Sequence, residues 1–342
     1  MAKPTVHDIA ELAGVSLATV DRVLNERPGV REKTAARVRA AIDRLGYVRD
    51  AYAANLARKK VYRFVFALPS GPSQFADAMR AALAEASKAQ AAERITTRAI
   101  SIPAQDPHAV ARALNALNPE QVDGVAILAP ETPQLRDAVA RLKAEGLAVV
   151  AFVSDLPNSQ RDRFVGIDNI EAGRTAGVLM GRFIGARPGR VFALTNSLQA
   201  RDSVERRLGF DEVLAARFPQ LEAAPTLEFY DDAQRLAALV REVLAKTRDL
   251  VGLYSMGRGN TPLLETLRDA GRPEGLVVIA HELTPSTRSG LIGGEFDAVI
   301  AQNVGHLVRS ALRVLRARTD GAPIFEAQER IRIDIVIREN LP

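Results

Sequence analysis

Apolar residues recur along this chain with two different periods. Between Thr5 and Asn25, Ile9, Ala10 and Ala13 form one stripe at helical spacing, and Val20, Val23 and Leu24 form a second. Gly14 lies between them and can take the left-handed turn conformation; Ser16 is suited to N-cap the second helix. A third amphipathic helix is predicted over 31–45 on Val38, Ala41, Ile42 and Leu45, with Gly46 ending it. Two short helices joined by a glycine turn read as a helix-turn-helix, a unit whose second helix can lie in a DNA major groove.

From Tyr62 the pattern switches to strand and helix in alternation. Strands are predicted at 63–68, 94–102, 122–129 and 147–153, with helices at 75–91, 107–117 and 133–145. A second series of strands follows at 189–195, 225–230, 249–254 and 276–280, again with helices between. Such alternation implies parallel sheets covered by helices, and two series imply two similar subdomains with a cleft between them. Ligands of open α/β sheets sit at the carboxyl ends of the strands. The domains expected are a headpiece at 1–46, a hinge or linker at 47–60 and an α/β domain at 61–342.

Charge sharpens the first part of this picture. Residues 1–60 hold 12 of the 46 Lys/Arg and 7 of the 41 Asp/Glu, so the whole net charge of +5 sits there. A basic segment on a neutral body is the electrostatic footprint of a nucleic-acid binder. There is no cysteine, hence no disulfide and no thiolate metal site, which suits a cytoplasmic setting. The N-terminus lacks the apolar core of a secretion signal, and no apolar run is long enough for a membrane span. No cofactor or metal is expected: His7, His108, His281 and His306 have no ligand spacing. Catalysis is not expected either. There is no GxSxG motif, His281-Glu-Leu-Thr-Pro285 lacks the second histidine of HExxH, and Gly257-Arg-Gly-Asn260 lacks the spacing of a phosphate-binding loop.

The residues Asp8-Ile-Ala10, Ala13-Gly-Val-Ser16, Ala18-Thr-Val20 and Arg22-Val-Leu-Asn25 closely resemble the headpiece of the lactose-repressor (LacI/GalR) family. The likeness continues through Val30, Thr34, Arg37-Val38 and Leu45-Gly-Tyr47. It implies that Leu17, Ala18 and Arg22 meet base edges, and that Thr5, Ser16, Thr19 and Asn25 meet phosphates. Arg22 can donate two hydrogen bonds to a guanine. It also implies that Leu56, in Ala54-Asn-Leu-Ala-Arg58, wedges into the minor groove from a hinge helix. Asp21 departs from the family's serine and would repel phosphates unless it pairs with Arg22 or Arg44, or accepts from a cytosine N4. Asn55 and Asp50 also depart from common family residues.

Residues 61–342 resemble the type I periplasmic sugar-binding fold used as the family's effector domain. The matching segments are Val165-Gly-Ile-Asp-Asn169 with Ala172-Gly-Arg174, Arg206-Arg-Leu-Gly-Phe210, and Val299-Ile-Ala-Gln302. The resemblance implies an effector site holding Phe75, Asp155, Arg206, Ser255, His281 and Gln302, with Asp168 as a helix cap or a further ligand. His281-Glu282 stands where the family has an aspartate, and Ser255-Met256 where it has Asn-Asp. The implied protein is a repressor of carbohydrate genes that binds a palindromic operator in double-stranded DNA and a sugar or polyol effector. No heptad tail follows Arg338, so a homodimer is expected. The alternative is a transport-type sugar receptor without DNA regulation.

Overall fold

The computed structural model describes residues 4–24, 27–47, 60–103 and 105–342. The chain divides into two compact units, Met1–Lys60 and Val61–Pro342.

The described residues of the first unit form three helices, α1 (Val6–Ala13), α2 (Leu17–Leu24) and α3 (Glu32–Leu45). Ile9, Val20 and Val38, one from each helix, are fully buried together, with Ala10, Ala13 and Ala41 around them. Local chemistry fixes the helix ends. Thr5 and Asp8 form a reciprocal capping box at the start of α1, and Gly14 closes it at φ 61°, where a Cβ would be strained. The Arg37 guanidinium, carried on α3, donates to the carbonyls of Ala13 and Gly14. A cation at a helix C-terminus is favourable. Arg37 thus ties α3 to the turn, which accounts for an arginine that sequence alone would put on a solvated or phosphate-facing surface.

The second unit holds two sheets. The first contains β1 (Tyr62–Pro69), β2 (Ile95–Ile102), β3 (Gly124–Ile127), β4 (Ala148–Phe152) and β5 (Arg163–Val165), all parallel, in the order β2-β1-β3-β4-β5. Helices α4 (Gln74–Ala89), α5 (Pro107–Asn115) and α6 (Pro133–Ala144) connect its strands. The second contains β6 (Gly189–Thr195), β7 (Leu221–Ala223), β8 (Leu227–Glu228), β9 (Leu250–Ser255), β10 (Val277–His281), β11 (Ala298–Gln302) and β12 (Ile333–Val336). Its order is β12-β11-β10-β9-β6-β7, with β8 also beside β6 and only β12 antiparallel to its neighbour. Its helices are α7 (Asn169–Ile184), α8 (Arg201–Arg217), α9 (Ala233–Lys246), α10 (Asn260–Ala270) and α11 (Pro285–Gly293). Helix α12 (Val304–Asp320) then returns to pack on α4, β3 and β4 of the first lobe, and the chain crosses again through the short α13 (Glu326–Glu329) to β12. Three connections therefore join the lobes, after β5, after β11 and after α12.

Two glycines explain the matched segments of α7 and α8. A Cβ on Gly173 would lie 2.0 Å from the Arg206 carbonyl oxygen, and one on Gly209 would lie 2.1 Å from that of Ile170. The two helices touch backbone to backbone there. That close approach buries Arg206 to 2 % exposure.

Candidate functional site

In the first unit, α2 buries Val20 and turns Leu17, Ala18, Asp21 and Arg22 to solvent. Leu17 is 42 % exposed, which no packing role explains. Ser16 begins the helix as expected: its Oγ accepts from the Thr19 amide at 3.3 Å and lies 3.0 Å from Thr19 Oγ1. Thr5 donates its hydroxyl to Asp8 at 2.8 Å, so its side chain serves the cap. Backbone and side-chain bonds from Thr5 hold the Asp8 carboxyl below its usual range. Asp21 pairs with Arg27 at 3.2 Å. Its charge is thereby partly offset beside the exposed face. Asn25 and Leu56, like Asp50 and Asn55, lie outside the described residues.

In the second unit, a cavity of about 500 Å³ lies between the lobes. It sits at the carboxyl ends of β1, β6, β9 and β10, where the helices α4, α8, α10 and α11 begin. The first lobe contributes Gln74, Phe75, Gln105 and Ser154; the second contributes Asn196, Asp202, Arg206, Asp231, Arg258, Asn260 and Glu282. Among the described residues, three residue pairs join across the cleft. Gln74 Oε1 accepts from the Ser286 amide at 3.1 Å and hydroxyl at 2.8 Å, Gln105 Nε2 donates to Asp231 at 3.3 Å, and Ser154 Oγ donates to Asp202 at 3.2 Å.

Arg206 is the centre of the buried polar groups. Its Nε donates to Asn169 at 2.9 Å and its Nη1 to the Met256 carbonyl at 2.7 Å. Its Nη2 has no hydrogen bond and lies 3.6 Å from Glu282 Oε1. Glu282 also accepts from Gln302 Nε2 at 2.8 Å. Burial pushes the Glu282 carboxyl up to about 7, against the opposing pull of Arg206. The backbone around the cavity is strained: Val153, Asp231 and Glu282, all in its wall, have φ of 67°, 61° and 70°. A β-branched residue in that region is rare and costs roughly 1–3 kcal/mol.

Of the six residues expected at an effector site, Phe75 and Arg206 line this cavity. The other four stand elsewhere. His281 is fully buried behind the wall, its Nε2 2.7 Å from the Tyr254 hydroxyl, and burial holds it well below the usual histidine range, hence neutral. Ser255 donates to Asn260 at 2.7 Å, and Gln302 reaches the cavity only through Glu282. Asp155 is bound bidentately by Arg161, away from the cleft. Asp168 caps α7, accepting from the Glu171 amide at 2.9 Å. Side chains alternate along a strand and at its end, so choosing one residue too early selects the opposite face. This is why Glu282 faces the cavity and His281 does not. Gln74, Gln105, Asn196 and Asp202 come from separate loops and helix starts that have no common periodicity.

The fold and these two sites define a class: a helix-turn-helix unit followed by a two-lobed α/β module with an interlobe cleft. The chain belongs to the periplasmic binding protein domain family, matched over residues 64–323, and its residues 5–50 match the lacI family of bacterial regulatory proteins. It is 30 % identical over 179 residues to catabolite control protein A of Streptococcus mutans, covering 52 % of this chain and 51 % of that protein. It is 26 % identical over 175 residues to the HTH-type transcriptional regulator DegA of Bacillus subtilis, covering 51 % of this chain and 50 % of that one. The match thus spans about half the length of these curated relatives. Among solved structures it resembles GanP, a glucose-galactose binding protein from Geobacillus stearothermophilus, with a TM-score of 0.73 and 19 % identity over 83 % of this chain and 99 % of GanP. That likeness speaks to the fold of the second unit.

Proposed function

We propose that this protein is a ligand-responsive transcriptional repressor that binds a palindromic operator as a homodimer and releases it when a sugar or polyol occupies the cleft. The observation that carries the reading is the solvent face of α2, where Leu17, Ala18 and Arg22 stand free of the headpiece core. An apolar side chain beside an arginine suits a thymine methyl beside a guanine. Ser16 and Thr19 at the start of the helix would orient it against phosphates. The interlobe cavity is sized for a small polar molecule, and polar groups from both lobes converge on it. Names borne by similar proteins, catabolite control and glucose-galactose binding, support a carbohydrate signal. Leu56 is assigned the minor-groove wedge on the family resemblance alone.

The test is selection of operator sequences from random duplex DNA by the full chain, followed by titration with and without sugars. A two-fold symmetric site is expected. Arg22→Ala is expected to lose about 1–3 kcal/mol of discrimination at one base pair per half-site while keeping nonspecific affinity. Failure to enrich any sequence would sink the DNA-binding reading.

A further inference from the structure

We propose that the cleft takes a glycoside whose sugar hydroxyls face the second lobe and whose apolar aglycone lies against the first. This deepens the reading of the cleft as the effector site and rests on it.

The two walls of the cavity differ in chemistry. Among the described residues, the charged side chains that line it are Asp202, Arg206, Asp231, Arg258 and Glu282 from the second lobe and Asp77 from the first. Asp77 already pairs with Arg80 at 2.8 Å. The first lobe's other polar side chains in the wall are engaged as well. Ser73 Oγ accepts from the Ala76 amide at 3.2 Å and so caps α4, while Gln74, Gln105 and Ser154 hold partners on the second lobe.

What the first lobe leaves open is apolar. Pro69, Phe75, Leu128 and Pro130 line the cavity while only partly buried, and Pro72 is exposed. They come from two separate segments, the corner between β1 and α4 and the loop after β3, so the apolar surface extends beyond a single ring. The second lobe's large apolar lining residues, Phe229 and Met256, are 3 % and 2 % exposed and so are taken up in its own core. Its open groups are polar. Asp202 accepts from Ser154, and Glu282 accepts from Gln302 and faces Arg206, yet a carboxylate has room for about four hydrogen bonds. Asn196 Oδ1 accepts from the Asp231 amide, and its Nδ2 makes no hydrogen bond among the described residues. Acceptors beside a donor suit hydroxyl groups, which do both.

This asymmetry separates a glycoside from its rivals. A free sugar carries hydroxyls around its whole rim, and those turned to the first lobe would give up water without gaining a partner. A nucleoside would meet the same wall with ring nitrogens and carbonyls that also need partners. An apolar group loses nothing there and gains by leaving water. Size agrees. A cavity of about 500 Å³ holds the liquid volume of roughly 17 waters. A hexose has fewer heavy atoms than that, and each takes less room than a water because it is bonded to its neighbours. A single sugar ring therefore leaves part of the cavity unfilled.

The experiment is calorimetric titration of the full chain at pH 7 with matched methyl and phenyl β-D-glycosides of glucose, galactose and xylose, the three free sugars, adenosine and cytidine. At least one phenyl glycoside is expected to bind tenfold or more tightly than its methyl counterpart, with the more negative heat-capacity change that marks apolar burial. Phe75→Ala should cut that preference threefold or more and leave the methyl glycoside nearly unchanged. Because Phe75 also packs on the core, Pro72→Ser at an exposed position repeats the test, with a smaller cut in the same direction. Equal or tighter binding of the methyl glycosides or free sugars would overturn the aglycone assignment and leave the cleft as a sugar site. Tighter binding of a nucleoside, a phenyl preference that both variants retain in full, or no binding by a chain that still selects operator DNA would each overturn it too. A phenyl preference in a chain whose operator binding does not respond to the ligand would uphold it and refute the regulator reading instead.

Discussion

Gly173 offers the most direct check on how α7 and α8 create the cleft. A methyl group there would sit 2.0 Å from the Arg206 carbonyl oxygen, and ordinary contact begins at 3.4 Å, so the helices must part by about 1.4 Å. Overpacking of this kind costs about 1–3 kcal/mol. In a unit of this size that lowers the melting temperature by roughly 2–10 °C. The same displacement carries Arg206 away from Asn169 and Met256, whose bonds at 2.9 and 2.7 Å would be lost or remade. Gly173→Ala should therefore lower both the thermal midpoint and the affinity of the cleft for its ligand. Gly305→Ala is the control. It lies in α12 without positive φ, and its Cβ would meet, nearest of all, only the flexible end of Arg309. It should be neutral or stabilising by up to about 1 kcal/mol. A Gly173→Ala chain with wild-type melting and wild-type binding would refute the backbone-contact argument.

Three further outcomes are expected. Gln74→Ala removes two hydrogen bonds across the cleft and should speed ligand release about tenfold, measured by stopped flow, with a larger radius of gyration in X-ray scattering. Glu282 has a folded-state value near 7 against about 4.5 unfolded, so the native state holds its proton more tightly and stability falls as pH rises from 4.5 to 7. Arg206, Asp202 and neutral His281 share its surroundings. Glu282→Gln should flatten the slope of melting temperature over that window, and an unchanged slope would assign it to other groups. Arg37→Ala should destabilise the headpiece by about 1 kcal/mol in thermal unfolding followed by circular dichroism, because α1 loses its C-terminal cation.

Much of the architecture was legible in periodicity alone. The headpiece helices and the alternating strands are where the apolar pattern puts them, because each buries a face set by its own repeat. The elements that escaped were short or polar at the edges. Arg163–Val165 has three residues, and the antiparallel Ile333–Val336 is exposed along half its length. The segment read as one strand at 225–230 is a two-residue strand, and 221–223 pairs with the start of β6. At the site, Arg206 was legible because its glycine-spaced helix carries a motif. Gln74, Gln105 and Asp202 were not, since only the closing of two lobes makes them neighbours.

Helix α12 has a consequence for the order in which the molecule can be made. It is encoded after the second sheet's β11, yet it covers the first lobe, where the Tyr62 hydroxyl donates to Asp320 at 2.7 Å across 258 positions of sequence. A ribosome therefore delivers β1 to β5 long before the helix that shields them. Until residues 304–320 emerge, the surface awaiting Leu307, Val308 and Ala311 stays open to water or to a chaperone. The first lobe to be synthesised is the one that must wait for nearly the whole chain before it can close.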